Sequence, residues 1–314
     1  MKAIQFHEYG TPDVLTYEDV DVPVPSAGQV RVRVAGTSFN GVDGNIRAGF
    51  MQEPMPLTLP HIPGLDVAGV VDEVGEGVTE LEVGDEVIGF LQFVDNGAAA
   101  EYVLASADGL ARAPRTIALA DAAALPIVGL TAWQGLFDHA GLTAGQRILI
   151  NGAGGAVGGY AVQLAKAAGA YVIATSSPRT SDRVESQGAD EVIDHTSADV
   201  IAAVGEPVDV LVNLAPIEPD AFNALAGIVR DGGVVVSTTV WMPAPSDDAR
   251  GVRGIDMYVN SDREQLAGLV ARIDAGKLTV DVERRVPLSE LPTVHAAAAD
   301  GSLRGKIVIV PDAG

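Results

Sequence analysis

The chain has 314 residues, 47% of them hydrophobic, which is enough for a sizeable core and about two domains of ordinary size. Its formal net charge of −22 repels phosphate backbones and argues against a nucleic-acid partner. It has no cysteine, so disulfides, thiolate zinc sites and a cysteine nucleophile are excluded.

No apolar run reaches the ~18 residues of a membrane span. The opening "MKAIQFHEYG" lacks the apolar stretch of a signal peptide. A cytoplasmic protein with no membrane partner is expected. The histidines at 7, 61, 139, 195 and 295 stand apart, without ligand spacing, and no metal is assigned.

"QVRVRVAG" (29–36) alternates apolar with polar, the period of a half-buried strand. "DVAGVVDEVGEGVTELEVGDEVIGF" (66–90) gives two apolar runs split by glycine turns. Prolines at 23, 25, 54, 56, 60 and 63 argue against long helices in this part. "AAAL" (122–125) reads as part of a helix joining two domains.

The rhythm then changes. "RILIN" (147–151), "YVIATS" (171–176), "EVIDH" (191–195), "DVLVN" (209–213) and "GVVVST" (233–238) are short apolar runs with helical patterns between them. This alternation predicts an α/β domain built on a doubly wound parallel sheet. Continuous Val, Ile and Leu suit strands covered on both faces. The tail gives a helix, "DREQLAGLVARIDAGK" (262–277), an extended stretch, a short helix around "LPTVHAAAADG" and a last strand, "KIVIVP". It reads as β-rich again and is expected to pack on the N-terminal part. Residues 1–120 with 262–314 then form one domain, and 121–261 the other.

"NGAGGAVGGY" (151–160) has glycines at 152, 155 and 158, the spacing of a dinucleotide fingerprint. A strand precedes it and a helix follows, with Val157, Ala161, Leu164 and Ala168 placed on one face. Gly152 allows the tight turn, Gly155 lets a pyrophosphate approach the backbone, and Gly158 lets helix and strand pack closely. Gly152, Gly154, Gly155, Ala156 and Val157 are the predicted phosphate cradle, helped by the positive end of the helix. The second strand ends "ATSSPRTSDR", with no acid where an NAD site places one. Ser176, Ser177 and Arg179 suit the 2′-phosphate of NADP(H), although Asp182 and Glu185 lie nearby.

"IPGLDVAGVV" (62–71), "VGEGVTELEVGDEVIG" (74–89), "LPIVGLTAWQGL" (125–136), the glycine-rich motif, "GADEVIDHT" (188–196) and "RGKIVIV" (304–310) stand in the order seen in medium-chain dehydrogenases/reductases. Over nearly its whole length the chain resembles that superfamily, and most of all its zinc-free quinone oxidoreductase branch. The resemblance implies a GroES-like β-rich catalytic domain plus a Rossmann domain. It also places Asn40, Leu65, Asp66 and Ile127 where the zinc alcohol dehydrogenases carry their catalytic metal ligands and the glutamate beside them. Asn, Leu and Ile together cannot bind zinc.

By the same resemblance, Asn40 and Thr131 lie beside the nicotinamide and its ribose, with Asn40 a candidate donor to the substrate. Asn213, Leu214 and Ala215 pass near the nicotinamide ribose, Thr238 and Thr239 near the carboxamide, and His195 near the adenosine phosphate. Asp43 shapes the loop after Asn40, and Asn45 stands where a tyrosine is common, which leaves the proton donor unassigned. Phe50, Met51, Met55 and Leu57 are candidates for an apolar substrate pocket.

The function expected is an NADPH-dependent, metal-free reductase of quinones or α,β-unsaturated carbonyls, assembled as a homodimer, with "GVVVSTTVW" as a candidate edge. The alternatives are an enoyl-thioester reductase of the same superfamily and a non-catalytic, NADPH-binding crystallin-like protein.

Overall fold

The computed structural model describes residues 1–239 and 241–312. The chain divides into two units, residues 1–127 with 261–314, and residues 128–260. The first border falls later than the expected 120/121. The 3₁₀ turn Leu119–Ala124 explains this, because Ala122, Ala123 and Ala124 are buried. The turn also lies against β3 of the first unit, where a Cβ on Gly36 would stand 2.8 Å from the Ala120 carbonyl oxygen. "AAAL" is therefore a 3₁₀ turn in its first three residues rather than part of an α-helix.

The first unit opens with β1 (Lys2–Phe6) and β2 (Leu15–Asp19), an antiparallel pair. Then come β3 (Gln29–Ser38), α1 (Gly41–Arg47), β4 (Asp66–Val74), β5 (Glu86–Phe90), β6 (Tyr102–Ser106) and β7 (Leu110–Arg112). Helix α2 (Pro126–Trp133) begins at the end of this stretch and carries the chain into the second unit. There follow β8 (Arg147–Asn151), α3 (Ala156–Ala167), β9 (Tyr171–Ser176), α4 (Ser181–Ser186), β10 (Glu191–Asp194), α5 (Val200–Val204), β11 (Val208–Asn213), α6 (Pro219–Ala226), β12 (Val229–Ser237) and β13 (Arg253–Asp256). The tail returns to the first unit with α7 (Arg263–Asp274), β14 (Arg284–Pro287), α8 (Leu291–Ala299) and β15 (Ile307–Val310).

Over the described residues, the main sheet of the first unit runs β14-β15-β3-β4-β5-β7, with β6 paired to β3. The tail joins it where β15 pairs antiparallel with the end of β3, Val308 opposite Ser38 and Ile309 opposite Thr37. Strand β3 shows why the sequence folds this way. Val30, Val32 and Val34 are buried, while Arg33 faces solvent and Arg31 binds Asp72 through Nε at 2.7 Å. The period of two gives the strand one wet and one dry face.

The second unit holds a parallel sheet in the order β10-β9-β8-β11-β12-β13. Ile148, Leu149 and Ile150 of β8 are fully buried, and each such side chain stabilises the fold by about 1.5–3 kcal/mol. Two expectations change here. Strand β12 is interior, flanked by β11 and β13, so "GVVVSTTVW" is not a sheet edge; Val240 of that stretch lies outside the described residues. The buried face of α3 includes Gly158, Ala161, Val162, Leu164 and Ala165, whereas Val157 and Ala168 are half-buried. The first turn must stay open at the strand ends, which pulls Val157 off the core face.

Candidate cofactor and active site

The glycine-rich loop joins β8 to α3 at the carboxyl end of the parallel sheet. Gly152 has φ +88°, a left-handed conformation that disfavours any residue with a Cβ. Its N–H donates to Thr175 Oγ1 at 2.9 Å, and the Ala153 N–H donates to the Thr175 carbonyl at 3.0 Å. The Gly155 N–H closes the turn on the Gly152 carbonyl at 3.1 Å. Gly155 then caps α3, whose first N–H groups have no intrahelical acceptor. A Cβ on Gly158 would overlap the Ala153 backbone, so the helix packs as closely as the fingerprint requires. A Cβ on Gly155 would meet only the Gly152 carbonyl oxygen at 3.5 Å. The protein itself therefore leaves room at Gly155, and a pyrophosphate fits that opening.

Polar side chains link the ends of neighbouring strands beneath the loop. Thr175 Oγ1 on β9 donates to Asn151 Oδ1 on β8 at 2.8 Å. Asn151 Nδ2 donates to Asn213 Oδ1 on β11 at 2.8 Å, and Asn213 Nδ2 donates to the Ala215 carbonyl at 3.0 Å. After β12, Thr238 donates to the Asn213 carbonyl through its N–H at 3.1 Å and its hydroxyl at 3.3 Å. Chain order reverses between β8 and β11, and such a switch point is where open α/β sheets bind ligands. Gly152, Gly154, Gly155, Ser176, Asn213, Leu214, Ala215, Thr238 and Thr239 thus share one end of one sheet. Thr131 sits in the second turn of α2, half-buried, in the same unit.

The end of β9 sorts the residues proposed for the adenosine side. Thr175 is committed to the loop. Ser176 is 2% exposed, and its Oγ has no hydrogen-bond partner among the described residues. A buried orphan hydroxyl is costly, and a phosphate oxygen would satisfy it. Ser177 is half-buried; Arg179 and His195 are exposed. A different cation reaches the loop: Arg183 Nη2 donates to the Gly154 carbonyl at 2.5 Å. No carboxylate stands on β9 or in the turn after it through Thr180. The donor set fits a nucleotide that carries a 2′-phosphate.

Asn40 lies in the first unit and belongs to a closed polar cluster. It caps α1 reciprocally with Asp43, whose Oδ2 accepts the Asn40 N–H at 2.8 Å. Asn40 Nδ2 donates to Asp66 Oδ2 at 2.9 Å and to the Ser38 carbonyl at 3.4 Å, while Asn40 Oδ1 accepts from Lys306 Nζ at 2.6 Å. Asp66 is fully buried. Its Oδ1 accepts the Ile127 N–H at 2.8 Å, and its Oδ2 also accepts from Ser38 Oγ at 2.5 Å and from Lys306 Nζ at 3.4 Å. Burial pushes the Asp43 carboxyl up to about 7 and lowers Lys306 from its ordinary value. Asn40 therefore differs from the free donor expected of it, because both of its amide hydrogens are held by its own unit. Nearby, α1 and α8 bury Arg47 and His295, and burial takes His295 down to about 3. Phe50 is 65% exposed, and Met51, Met55 and Leu57 are half-buried, on the segment after α1.

Residues 26–115 match the alcohol dehydrogenase GroES-like domain family, and residues 187–309 match the zinc-binding dehydrogenase family. A chloroplast envelope quinone oxidoreductase homolog of Arabidopsis thaliana is 34% identical over 99% of this chain and 98% of its own. The chain belongs to the quinone oxidoreductase branch of the medium-chain dehydrogenases/reductases. A 2-methylene-furan-3-one reductase of Solanum lycopersicum is 34% identical over 99% of this chain and 79% of its own. The Escherichia coli quinone oxidoreductase, solved with NADPH, has a TM-score of 0.87 at 25% identity, covering 99% of this chain and 100% of its own. The fold is accordingly a GroES-like domain with a Rossmann domain.

Sequence reasoning missed Asn151, Arg183 and Lys306. Asn151 was visible as the polar residue that ends "RILI". Lys306 was visible as the cation opening an apolar strand in "RGKIVIV", where a buried lysine needs buried acceptors. Arg183 carried no signal, because only the turn at 177–180 folds it back onto the loop.

Proposed function

We propose that this oxidoreductase reduces quinones or α,β-unsaturated carbonyls with NADPH and without a metal. The observation that carries the cofactor is the end of β9, with Ser176 buried and unsatisfied among described residues and no acid beside it. NADPH, when bound, supplies the hydride. The loop at 152–157 binds the pyrophosphate through backbone N–H groups. Thr131 and residues 213–215 hold the nicotinamide ribose, and Thr238 and Thr239 orient the carboxamide. Negative charge develops on the acceptor oxygen as hydride adds to the conjugated system, and solvent protonates it.

Metal independence rests on Asp66. In the resemblance Asp66 stands beside the ligand positions, yet here both its oxygens take protein hydrogen bonds, and Lys306 already supplies the cation. Asn40 is a structural partner of that carboxylate. The homodimer belongs to the same proposal, with β13 as the edge strand and Trp241 and Tyr258, 65% and 66% exposed, on the same unit. Among the described residues no helix is long and apolar enough to cross a membrane. A cytoplasmic location is proposed on the sequence reading alone.

A panel of quinones, enones and enoyl thioesters with NADPH tests the reading. Turnover of quinones or enones over thioesters is expected. Tight NADPH binding with no turnover of any acceptor contradicts it and favours the crystallin-like alternative. Light scattering tests the dimer.

A further inference from the structure

We propose that Arg47, with His295, forms a binding site for a small-molecule carboxylate in the first unit. Arg47 ends α1 and is 4% exposed, yet it has no ion pair among the described residues. Its Nη1 donates to the Gly10 carbonyl at 2.5 Å, and the Gly10 N–H donates back to the Arg47 carbonyl at 3.0 Å. Its Nε is buried and has no partner among the described residues. Asp13, whose charge acts on Arg47, is exposed and accepts from the Thr11 hydroxyl. A buried cation without a counter-ion is costly, and an anion on its free edge would offset that cost.

A second orphan belongs to the same place. Helix α8 packs on α1 and on the 3₁₀ turn Pro12–Val14. It carries His295, 1% exposed, whose ring meets Phe39 edge-on with centroids 4.8 Å apart and whose Nδ1 has no partner among the described residues. Burial, and then the Arg47 charge, keep this ring neutral. It therefore offers a hydrogen bond and no second charge. The class of anion follows from the guanidinium edge. Nε and Nη2 form a rigid fork that matches the two oxygens of a carboxylate. Arg285 uses that fork on Asp121, with Nε to Oδ1 at 2.6 Å and Nη2 to Oδ2. In Arg47 the anchored nitrogen is Nη1, and the Nε–Nη2 edge bonds to no described residue. A planar monoanion fills both positions and balances the one charge present. A chloride ion cannot span the fork, and a phosphate dianion would bring a charge that a neutral His295 leaves uncompensated. The site is independent of the NADPH reading.

Thermal melts and calorimetry of the full-length protein test the site with formate and acetate, against chloride and inorganic phosphate at one ionic strength. Formate and acetate should bind saturably and raise the melting temperature by about 2 °C or more at ten times their dissociation constants. Chloride and phosphate should raise it less. Arg47→Met should abolish the formate response. Arg47→Lys keeps the charge and loses the fork, and it should bind formate at least about fivefold more weakly. His295→Phe should weaken formate by about two- to tenfold, the scale of one hydrogen bond. Equal rises with all four anions mean screening alone and overturn the proposal, as does a formate response that survives Arg47→Met or is unchanged in Arg47→Lys. Phosphate binding more tightly than formate overturns the carboxylate assignment, and unchanged affinity in His295→Phe overturns the part given to His295. A wild type that responds to no anion leaves water as the partner of the fork and overturns the site. Should Arg47→Met not fold, Arg47→Lys still decides, because a loss of formate affinity in folded protein is required of it.

Discussion

Ser176 and Asp66 are both deeply buried, at 2% and 0% exposed, yet their surroundings are opposite. The Ser176 hydroxyl has no partner among the described residues, while both Asp66 oxygens are bonded to Ile127, Ser38, Asn40 and Lys306. The first stands at the carboxyl end of a parallel sheet, where we propose that a ligand completes it. The second belongs to a cluster that the chain has completed for itself. Buried polar groups are costly unless paired, so an incomplete set marks a binding surface and a complete one marks architecture. At the sheet end Thr175, Asn151, Asn213 and Thr238 bond to one another, so in the proposed reading a ligand is left the Ser176 hydroxyl and the loop N–H groups, while the Asn40 amide is held by its own unit.

The contrast is broken most sharply by removing the internal cation. Lys306→Met leaves Asp43 and Asp66 buried without their ammonium, and losing one partner of a buried pair typically costs about 3–5 kcal/mol. Urea unfolding should show a loss of that size; a loss below about 1 kcal/mol would mean that the cluster is not closed around Lys306.

The opposite behaviour is expected at the sheet end. Gly155→Ala meets only the Gly152 carbonyl oxygen, at 3.5 Å, and Gly155 has φ −85°. Its melting temperature should stay within a few degrees of the wild type, while NADPH affinity falls at least about tenfold, or 1.4 kcal/mol. Equal affinity in this variant would show that nothing approaches the backbone there.

A smaller effect concerns pH. The Asp43 carboxyl is pushed up to about 7 by burial from an ordinary 3.8. The folded chain therefore holds this proton more tightly than the unfolded chain. The stability it contributes is full below about 3.8 and is lost as pH rises through about 7. His61 and His295, lowered by burial to about 4 and about 3, act in the other direction. Their contribution is present above the ordinary value of 6.5 and is lost as pH falls towards those values. Asp43→Asn should lower stability overall, since one of the Asn40 and Gly64 N–H groups loses an acceptor. It should also flatten the decline between pH 4 and pH 7. An unchanged slope in that variant would place the titration elsewhere.

The sheet end was largely legible in the sequence because its signals are local. Strands β8 and β9 match the apolar runs residue for residue, since a strand buried on both faces admits only Val, Ile, Leu and small residues. The loop glycines follow from φ and from the close approach of helix to strand. The closed cluster was illegible because its members, Ser38, Asn40, Asp66, Ile127 and Lys306, lie up to 268 residues apart (306 − 38). Only the return of β15 to β3 brings Lys306 to Asn40. Asn40 stands at a metal-ligand position of the zinc alcohol dehydrogenases, and a resemblance of position does not reveal who bonds to an amide. The misplaced edge at β12 has a similar origin. The apolar run of β12 looks the same from sequence whether one neighbour follows it or two, and β13 is too short and polar to announce itself.

The most direct test of a metal-free NADPH reductase is steady-state reduction of a small quinone by protein shown by elemental mass spectrometry to hold no zinc. The account predicts full activity in chelator and a kcat/KM for NADPH well above that for NADH. An enzyme that is inactive until zinc is added, or one that uses NADH equally well, would contradict it.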